Sequence, residues 1–467
     1  MPIVKTPVSE TMLPPRKAQV LPETDVLIVG GGPSGFAAAL GAANAGAKVL
    51  LVERFGFLGG AATAGLVLTM ASYYTSSTIP LQKTSDLTLF PIDHGQGNPI
   101  IGGVMTELLK RLVAAGGAYA PSLRTGFMTP FDPEILKLVE LEMLEAAGVE
   151  LMFQAFASGV ILDGANIRGV ILETKSGPIV AKAKVIVDCT GDGDVAAFAG
   201  APYEVGRGRD RMVQPMTLMF VLEGFVFSKF RDYVQAHPDQ WYGVEGLGAL
   251  LQHAKKNGVL KVPRENVLLF GSVRPGHVLV NSTRILNTLG TNVWDLTRAE
   301  LEGRRQVAQL TGFFRSYVPG FEHTFVHQSG NAYVRESRRI IGLYTLTAKD
   351  VLTAKKFDDA IARGSYPIDL HSPTGKGTLL KKIKGGDAYD IPLRCLIPQK
   401  IDSLLVGGRC ISGTHIANAS YRTMPICIAT GQAAGVCAAI AVKNQVIPRT
   451  VQAADVQKEL IQQGAIL

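Results

Sequence analysis

The sequence contains few cysteines, and they do not form a redox or metal motif. The 467 residues include 5 cysteines, and none of them forms a CxxC pair. Their spacing argues against a disulfide redox centre, an iron–sulfur cluster and a zinc knuckle, so no metal is expected. Reduced thiols are typical of the cytoplasm, and we predict a cytoplasmic location. These residues are Cys189, Cys395, Cys410, Cys427 and Cys437.

Charged and aromatic residues are also sparse. Charged residues make up 18% of the chain and aromatic residues 7%, and no block of Lys and Arg is interleaved with aromatic residues. We therefore expect no nucleic-acid partner. The formal charge of +8 favours anionic ligands, and 47% hydrophobic residues indicate an ordered globular protein.

Long apolar runs are also scarce: the longest ones are broken by Gly, Asn or Lys short of the roughly 20 residues of a membrane span. No membrane span is therefore expected. The chain up to Leu21 holds four prolines and no apolar segment of the signal-peptide type. Residues 1–22 are predicted to form an N-terminal arm.

A glycine turn between two apolar segments stands out near the start of the chain. An apolar run from Val26 to Val29 is typical of a buried parallel strand, and the turn GGGPSG and an Ala-rich helical segment up to Gly46 follow it. Gly30 permits the sharp turn, Gly32 allows a pyrophosphate to approach the backbone, and Gly35 allows the helix to pack against the strand. The helix N-terminus then faces the phosphates.

A second apolar strand supports this interpretation. Val49 to Val52 is apolar and ends at Glu53, about 20 residues after the glycine turn, where a carboxylate can accept a hydrogen bond from a ribose hydroxyl. The order of strand, turn, helix, strand and acid favours dinucleotide binding over a purely structural glycine turn. The glycine-rich loop 54–65 that follows is predicted to lie against a flat ligand rather than to be a mobile connector.

The segments that follow are predicted in outline. Residues 73–99 resemble a long lid loop, since they are rich in Ser, Thr, Pro and Asp. Residues 101–116 and 135–147 are predicted helices, the second with an N-terminal cap at Asp132. A small antiparallel meander is predicted within residues 151–189. The turn after Cys189 carries Asp192 and Asp194, whose charges would repel a pyrophosphate, so we expect it to touch the first cofactor rather than to bind a second one.

The middle of the chain differs in its hydrophobic pattern. From about Tyr203 to Lys382 the hydrophobic periodicity is irregular, which suggests an inserted domain. Within it, residues 333–340 read YVRESRRI and contain three arginines. Such a run either forms a solvated or salt-bridged surface or directs a guanidinium at an anionic or carbonyl group of a substrate.

The C-terminal part of the chain repeats the strand-and-glycine-turn pattern of the N-terminal part. Leu404 to Arg409 is again an apolar strand followed by a glycine turn, and an Ala-rich helix begins near Pro425. We predict an α/β fold with a Rossmann-like FAD-binding domain, built from a parallel sheet and a β-meander, in residues 23–202 and 383–467. Residues 203–382 are predicted to form an inserted α+β substrate or cap domain. A cofactor domain that is split between two remote segments and carries one dinucleotide fingerprint fits FAD better than NAD, because FAD binds in an extended form and its two ends need separate groups.

At this point the sequence resembles the bacterial FAD-dependent oxidoreductases of the glutathione-reductase-like superfamily, the two-dinucleotide-binding-domain flavoproteins. The resemblance rests on a GFLGG loop followed by AT and Gly65, and on a terminal GRC.S.TH segment. Related stretches such as FDPEILK, IVDCTGDGDVAA and RESRRIIGLYTLT occur in the same order along most of the chain. The family implies an enzyme that binds FAD, whereas its many members leave the substrate open.

The resemblance also implies roles for individual residues. The loop that carries a flavin-linking His in succinate dehydrogenases reads GGAAT here, so non-covalent FAD is expected. The last glycine turn carries Arg409 and Cys410 where related flavoproteins have a ribityl-binding Asp. The implied cofactor-binding residues are Gly30, Gly32, Pro33, Ser34, Gly35, Glu53, Arg54, Gly59, Gly60, Ala61, Thr63, Phe156, Thr190, Gly191, Gly408, Arg409, Thr423, Met424 and Pro425.

For the chemistry we expect His415 as the acid–base group, with Arg335 or Arg422 orienting a carboxylate or carbonyl of a small organic substrate. His415 has an alternative role as a hydrogen-bonding partner of the flavin or of a core carbonyl. His327, Tyr333 and Tyr421 are weaker candidates. The leading function is a dehydrogenase or oxidase. The alternatives are an ene-reductase of the fumarate-reductase type and a flavin-binding electron-transfer subunit, and a homo-oligomer is a further expectation.

Overall fold

The computed structural model describes residues 11–12, 14–75, 89–90, 97–122, 125–375 and 377–467. Part of the predicted N-terminal arm and most of the predicted lid loop lie outside the described residues, which begin at residue 11 and leave out residues 76–88 and 91–96.

A parallel sheet of five strands forms the centre of the fold. The strands are numbered in chain order, and their order across the sheet is β23-β10-β2-β3-β6. Apolar runs such as that of β2 are buried on both faces, as expected for parallel strands covered by helices. Leu404 pairs with Ile186, so the C-terminal glycine segment joins the N-terminal sheet as predicted. The strands are β2 (Thr24–Val29), β3 (Val49–Glu53), β6 (Glu150–Phe153), β10 (Ala183–Asp188) and β23 (Leu404–Val406).

A four-stranded sheet confirms the predicted meander. Its strand order is β1-β9-β8-β7, in which β1 pairs with β9 in parallel and the other neighbours are antiparallel. The turn between Asp163 and Asn166 reverses the chain, as the Asp-Gly signal predicts. The strands are β1 (Gln19–Val20), β7 (Phe156–Asp163), β8 (Asn166–Thr174) and β9 (Gly177–Ala181).

Helices cover the parallel sheet, and two of them cross very closely. A Cβ added at Gly435 of α10 would lie 1.9 Å from the carbonyl oxygen of Ala38 in α1. The side chain of Asp132 caps α3 by accepting from the N–H groups of Glu134 and Ile135, as predicted. These helices are α1 (Pro33–Asn44), α2 (Val104–Ala114), α3 (Pro133–Ala146), α10 (Met424–Asn444) and α11 (Ala453–Gln462).

By length and composition, α10 is also a candidate membrane span, which the sequence reading of interrupted apolar runs did not anticipate. However, 83% of its most apolar window is buried inside the protein, largely against α1 and the sheet. The helix therefore fits the core of this fold.

A second sheet has six strands in the order β13-β14-β15-β16-β12-β17, all antiparallel. One face packs with helices around a separate aromatic core that includes Phe220, Phe230 and Phe314. Its strands are β12 (Phe220–Glu223), β13 (Trp241–Tyr242), β14 (Glu245–Gly246), β15 (Val267–Gly271), β16 (His277–Val280) and β17 (Phe325–Ser329). The helices are α5 (Phe227–Ala236), α6 (Gly248–Lys256) and α7 (Val293–Tyr317).

Short elements complete the described part of the chain. Four strand pairs are antiparallel: β4 (Thr69–Met70) with β5 (Thr129–Pro130), β11 (Tyr203–Val205) with β18 (Arg338–Ile340), β19 (Ala360–Gly364) with β22 (Tyr389–Pro392), and β20 (Ile368–His371) with β21 (Thr378–Lys381). The short helices are α4 (Asp194–Phe198), α8 (Ala348–Leu352) and α9 (His415–Tyr421), and 3₁₀ turns lie at Pro238–Gln240, Lys384–Gly386, Leu393–Cys395, Gly408–Cys410 and Pro448–Thr450.

The architecture is therefore α/β, with a parallel Rossmann-type sheet, a meander and a separate antiparallel sheet, as the sequence predicts. The larger core includes Ile340, Leu346 and Ile361 together with the strands of the parallel sheet. The division into residues 23–202 with 383–467 and residues 203–382 stays a prediction.

Candidate functional site

A large cavity opens at the carboxyl ends of the parallel strands. It encloses about 1210 Å³ of space between its walls, including the part that is open to solvent. Val29, Glu53 and Gly407 lie at or just after the ends of β2, β3 and β23, and all three line it. In open α/β sheets this edge is where ligands bind.

Two glycine loops build the floor of the cavity. Gly30 has φ +101°, and a Cβ there would lie 2.5 Å from the carbonyl oxygen of Cys189. Gly60 has φ +45°, and its Cβ would lie 2.9 Å from Cα of Gly32. Because a side chain at either position would push these backbones apart, the glycines allow the loops to lie close together at the turn. Gly35 instead lies against Gly30, since its Cβ would be 1.7 Å from that carbonyl oxygen, which supports the predicted packing role.

Glu53 is fixed at the end of β3. Its carboxylate accepts from the backbone N–H of Gly31 at 2.6 Å and from that of Phe55 at 2.8 Å. Burial raises the pKa of this carboxyl group. Both bonds hold the oxygens at the cavity wall, where an acceptor for a ribose hydroxyl is expected.

The turn after β10 is held by a buried carboxylate. Asp188 Oδ1 accepts from the N–H of Thr190 at 3.0 Å and from its hydroxyl at 2.7 Å, and Oδ2 accepts from the N–H of Ala196 at 2.9 Å. Burial raises the pKa of Asp188 to about 6. Thr190 and Gly191 are thereby presented to the cavity.

The acidic residues of this turn have cationic partners. Arg409 donates to Asp192 Oδ1 at 2.5 Å, and Arg338 donates to Asp194 at 2.7 Å. The expected repulsion of a pyrophosphate is therefore reduced, because both carboxylates are paired. Asp192, Asp194 and Arg409 all line the cavity.

The donor set of the cavity fits an anionic dinucleotide such as FAD. The first residues of α1 and α10, Pro33 and Met424, line the wall, so the N-termini of both helices open into the cavity. Arg409 and Arg422 line the same cavity, and their buried Nε atoms lack a hydrogen-bond partner in the described part of the protein. Guanidinium groups of this kind suit the anionic oxygens of a cofactor or a substrate.

Most of the predicted cofactor-binding residues meet at this cavity. Those that line it are Gly30, Gly32, Pro33, Ser34, Glu53, Arg54, Gly60, Ala61, Phe156, Thr190, Gly191, Gly408, Arg409 and Met424. The others, Gly35, Gly59, Thr63, Thr423 and Pro425, lie behind the wall. The hydroxyl of Thr63 donates to the carbonyl of Leu58 at 2.5 Å, and Thr423 and Pro425 form the first turn of α10, so these residues shape the loops.

Residues 331–334 also line the cavity. Tyr333 and Val334 belong to the segment 333–340 that the sequence singles out, but the sequence does not predict that Asn331 and Ala332 lie at the site. The N–H of Asn331 donates to the carbonyl of Ala64 at 2.7 Å, and Tyr333 pairs with Thr217. The contact of Asn331 with Ala64 of the glycine loop joins residues that are far apart in the chain, and no local sequence motif predicts it.

The predicted catalytic residues separate in the structure. Arg422 lines the cavity, whereas His415 and Arg335 lie behind its wall. His415 is 8% exposed, and its Nδ1 lies 2.8 Å from Oε1 of the buried Glu336, which also pairs with Arg339. Arg335 is 3% exposed and donates to the carbonyl of Pro215 at 2.8 Å and to the hydroxyl of Thr217 at 2.6 Å.

A buried polar cluster lies directly behind Arg422. Arg422 Nη2 is 3.5 Å from Oδ2 of Asp369, and the same oxygen accepts from the hydroxyl of Tyr366 at 3.2 Å and lies 3.4 Å from Nε2 of His371. The cationic neighbours hold the pKa of Asp369 below its usual value despite its burial. This carboxylate therefore stays ionised beside the cavity wall.

Three further arginines lie close to this cluster. Burial and the charges of Arg422 and Arg264 lower the pKa of Arg335 to about 9. Burial and the charge of Arg284 lower the pKa of Arg264 to about 10. Glu245, Glu265 and Asp369 partly offset these charges, but Arg264, Arg284 and Arg335 form no ion pair with any described side chain. The cluster thus has an excess of buried positive charge.

The chain is similar to several known proteins. Digeranylgeranylglycerophospholipid reductase 2 of Methanopyrus kandleri is 27% identical over 175 residues, 36% of this chain and 38% of that protein, so the match spans well under half of the relative. A geranylgeranyl bacteriochlorophyll reductase-like protein of Thermoplasma acidophilum superposes with TM-score 0.47 and 12% identity, covering 96% of this chain and 85% of that one. For p-nitrophenol 4-monooxygenase of Pseudomonas putida the TM-score is 0.47 and the identity 11%, with 95% and 85% covered.

The match that decides the family covers almost the whole sequence. The family model described as FAD dependent oxidoreductase matches residues 25–460, from the first residues of β2 to the end of α11. It includes the glycine turn, the meander, the antiparallel sheet and the C-terminal strand. The chain therefore belongs to the FAD-dependent oxidoreductase family and is an enzyme whose cofactor is FAD.

Proposed function

We propose that this enzyme transfers a hydride between non-covalently bound FAD and a small anionic organic substrate, and that it works as a dehydrogenase or oxidase. Within the family we assign it to the group with a GFLGG loop and a GRC.S.TH segment in the glutathione-reductase-like superfamily. The observation that carries the proposal is a cationic cluster in which Arg422 lines the cavity wall and Arg264, Arg284 and Arg335 lie close behind it.

The excess positive charge of this cluster favours an anionic ligand. Burying a charge without a partner is costly, and proteins normally pair such groups or shift their pKa. Asp369 is the described carboxylate that forms an ion pair with one of the four arginines. A substrate carboxylate would supply the missing negative charge, and a guanidinium can hold it with two parallel hydrogen bonds.

Arg422 is the group best placed to hold that carboxylate. It is 8% exposed, lines the cavity and keeps its Nε free of partners among the described residues. Its Nη2 donates to the carbonyl oxygen of Asp369 at 3.3 Å, which fixes the guanidinium plane. Tyr333 lies at the same wall and interacts with Arg422. We assign to Arg422 the orientation of the substrate and to Arg335 electrostatic support from behind.

When bound, FAD supplies the hydride acceptor or donor, and the protein supplies position and charge. The N-terminal end of α10 would stabilise negative charge that develops on the cofactor, since Met424 reaches the cavity. The predicted role of His415 as the acid–base group stays untested. Its bond to Glu336 favours a positioning role for this histidine, because the pair lies behind the wall.

Reduction of an activated alkene is the second candidate. The same arginines would hold the carboxylate of an enoate, since Arg422 lines the cavity wall and Arg335 lies close behind it. The reduced flavin would then be the hydride donor. An electron-transfer subunit without its own substrate is the remaining alternative, and it requires no free guanidinium at the wall.

An anaerobic flavin assay tests the proposal. The holoenzyme is mixed with hydroxy acids, amino acids, amines and sugars, and each carboxylate is paired with its neutral amide or ester. We expect bleaching of the flavin by one or more carboxylates and at least a tenfold loss of rate with the neutral partner. Reoxidation of photoreduced enzyme by enoates, without bleaching in the forward direction, would support the ene-reductase instead.

Variants connect the result to the cluster. Arg422→Ala should retain FAD and lose at least tenfold in kcat/KM for the carboxylate, about 1.4 kcal/mol of transition-state stabilisation. Arg231→Ala, on the exposed side of α5 and paired with the neighbouring Asp232, is the matched control and should behave like the wild type. Equal rates with charged and neutral substrates, or full activity of Arg422→Ala, would contradict the proposal. A cytoplasmic location and a homo-oligomer stay predictions.

A further inference from the structure

Three neighbouring strands of the antiparallel sheet bring two histidines and a glutamate to one point on its surface. In β12, Glu223 pairs directly with His277 of β16, so the two side chains leave the same face of the sheet. On the other side of β12, the register with β17 shifts between Val221 and Leu222, and His327 is the extra residue. His327 is thus the unpaired residue of a β-bulge, and its ring contacts the carboxylate of Glu223.

The distances between the three side chains match those of a metal centre. Glu223 Oε2 lies 2.8 Å from His327 Nδ1 and 3.7 Å from His277 Nε2, and one potential ligand atom from each residue lies within 4.8 Å of the others. Zinc bonds of about 2.0–2.1 Å in tetrahedral geometry place ligand atoms about 3.3 Å apart. The two distances from Glu223 Oε2 lie on both sides of this length, so rotamer adjustments of the three side chains would complete the site.

The charges around the group are compatible with a bound cation. Arg274, a cation beside the group, forms an ion pair with the buried Asp132 at the start of α3. Its positive charge is therefore largely compensated, and Glu223 supplies a carboxylate ligand beside the two imidazoles.

The site is also accessible. The side chains of Glu223 and His327 are 40% and 39% exposed, whereas that of His277 is 11% exposed. A cation can therefore enter from solvent, and water can occupy a fourth position. None of the three residues lines the cavity at the parallel sheet.

We infer that Glu223, His277 and His327 form a binding site for a divalent transition-metal ion of the zinc class. Two imidazoles and one carboxylate suit zinc and cobalt better than magnesium or calcium, which prefer oxygen ligands. A bound ion would tie the edge strand β17 to β12 and β16 at the bulge. The predicted absence of a metal rested on cysteine spacing, which does not detect this cluster.

Metal titration of the untagged holoenzyme tests this inference. After dialysis against a chelator, the protein is titrated with Zn²⁺ by calorimetry and with Co²⁺ by absorption at wavelengths beyond the flavin bands. We expect one ion per chain, a tetrahedral Co²⁺ spectrum that Zn²⁺ displaces, and a higher midpoint of thermal unfolding with Zn²⁺. Absence of stoichiometric binding by the wild-type protein would overturn the inference.

Variants decide whether binding occurs at this cluster. His277→Ala and His327→Ala should abolish the Co²⁺ spectrum, and Glu223→Gln should weaken binding at least tenfold. His253→Ala removes an exposed histidine of α6 and should bind like the wild type. The FAD content reports folding of each variant, and if His277→Ala loses FAD, the more exposed His327 decides. Unchanged binding in His327→Ala would contradict the assignment, whatever the outcome for substrate turnover.

Discussion

The close crossing of α1 and α10 makes a sharp prediction about stability. At the crossing, glycines of one helix lie against carbonyl oxygens of the other: a Cβ at Gly435 would be 1.9 Å from the oxygen of Ala38, and a Cβ at Gly431 would be 2.1 Å from that of Ser34. Ordinary contact of such atoms needs about 3.5 Å. Gly435→Ala would therefore force the helices apart by more than 1 Å.

The sign of the effect follows from two opposed contributions. In a helix interior, Ala is favoured over Gly by about 1 kcal/mol through backbone entropy. Overpacking of a well-packed interface costs about 1–3 kcal/mol and sometimes more, and here the obstacle is a rigid backbone carbonyl. We expect Gly435→Ala to lower the free energy of unfolding by about 2 kcal/mol. The FAD affinity should fall as well, because Ser34 and Met424 line the cavity from the first turns of the two helices.

The same substitution elsewhere provides the control. Gly312 lies near the end of α7, is exposed, and a Cβ there meets no atom within 4 Å. Gly312→Ala should therefore raise the free energy of unfolding by about 0.5–1 kcal/mol. Urea unfolding of the two variants and the wild type, with FAD content measured in parallel, checks both signs. A Gly435→Ala protein as stable as the Gly312→Ala protein would refute the close crossing.

Two further predictions concern the cavity and its acidic turn. Arg409→Ala should raise the Kd for FAD at least tenfold, about 1.4 kcal/mol, because it removes a donor at the cavity wall and leaves Asp192 without its guanidinium partner. Fluorescence titration of the apoprotein with FAD measures this Kd. An unchanged Kd would contradict the role of Arg409. Burial raises the pKa of Asp188 in the folded protein to about 6, above the 3.8 of an ordinary aspartate, so its contribution to stability is full below pH 3.8 and is lost as the pH rises through 6. The free energy of unfolding of the wild type minus that of Asp188→Asn should therefore fall by up to about 1.4 kcal/mol per pH unit as the pH rises from 4 to 6. A difference that does not change with pH would show that Asp188 has an ordinary pKa.

The sequence was informative wherever function depends on a short stretch of backbone. The turn at Gly30 and the acid at Glu53 could be predicted because strand, turn and helix follow each other directly. The same applies to the return of the C-terminal segment, since Leu404 to Gly408 repeats the pattern of the first strand and turn, and Leu404 pairs with Ile186 as a member of that sheet.

The sequence was less informative where a side chain meets a partner from a remote segment. His415 was expected near the reacting atoms from its place in the terminal segment, but its partner is Glu336, which lies 79 residues away. The contact of His327, at the bulge of β17, with Glu223 depends on strand register, which a pattern of single residues does not reveal. Cross-strand contacts of this kind require the fold.

The arginines of the segment 333–340 have different surroundings. Arg338 is partly exposed and pairs with Asp194 at the cavity, which is the salt-bridged alternative. Arg335 is buried close to Arg422, and its role toward a substrate anion stays a prediction. Between them, Glu336 binds His415 and Arg339. Since Arg338 contacts the turn after β10 and Arg335 supports the polar cluster, this short segment connects the nucleotide end of the cavity to the proposed substrate end, and a change in its backbone should affect cofactor binding and substrate binding together.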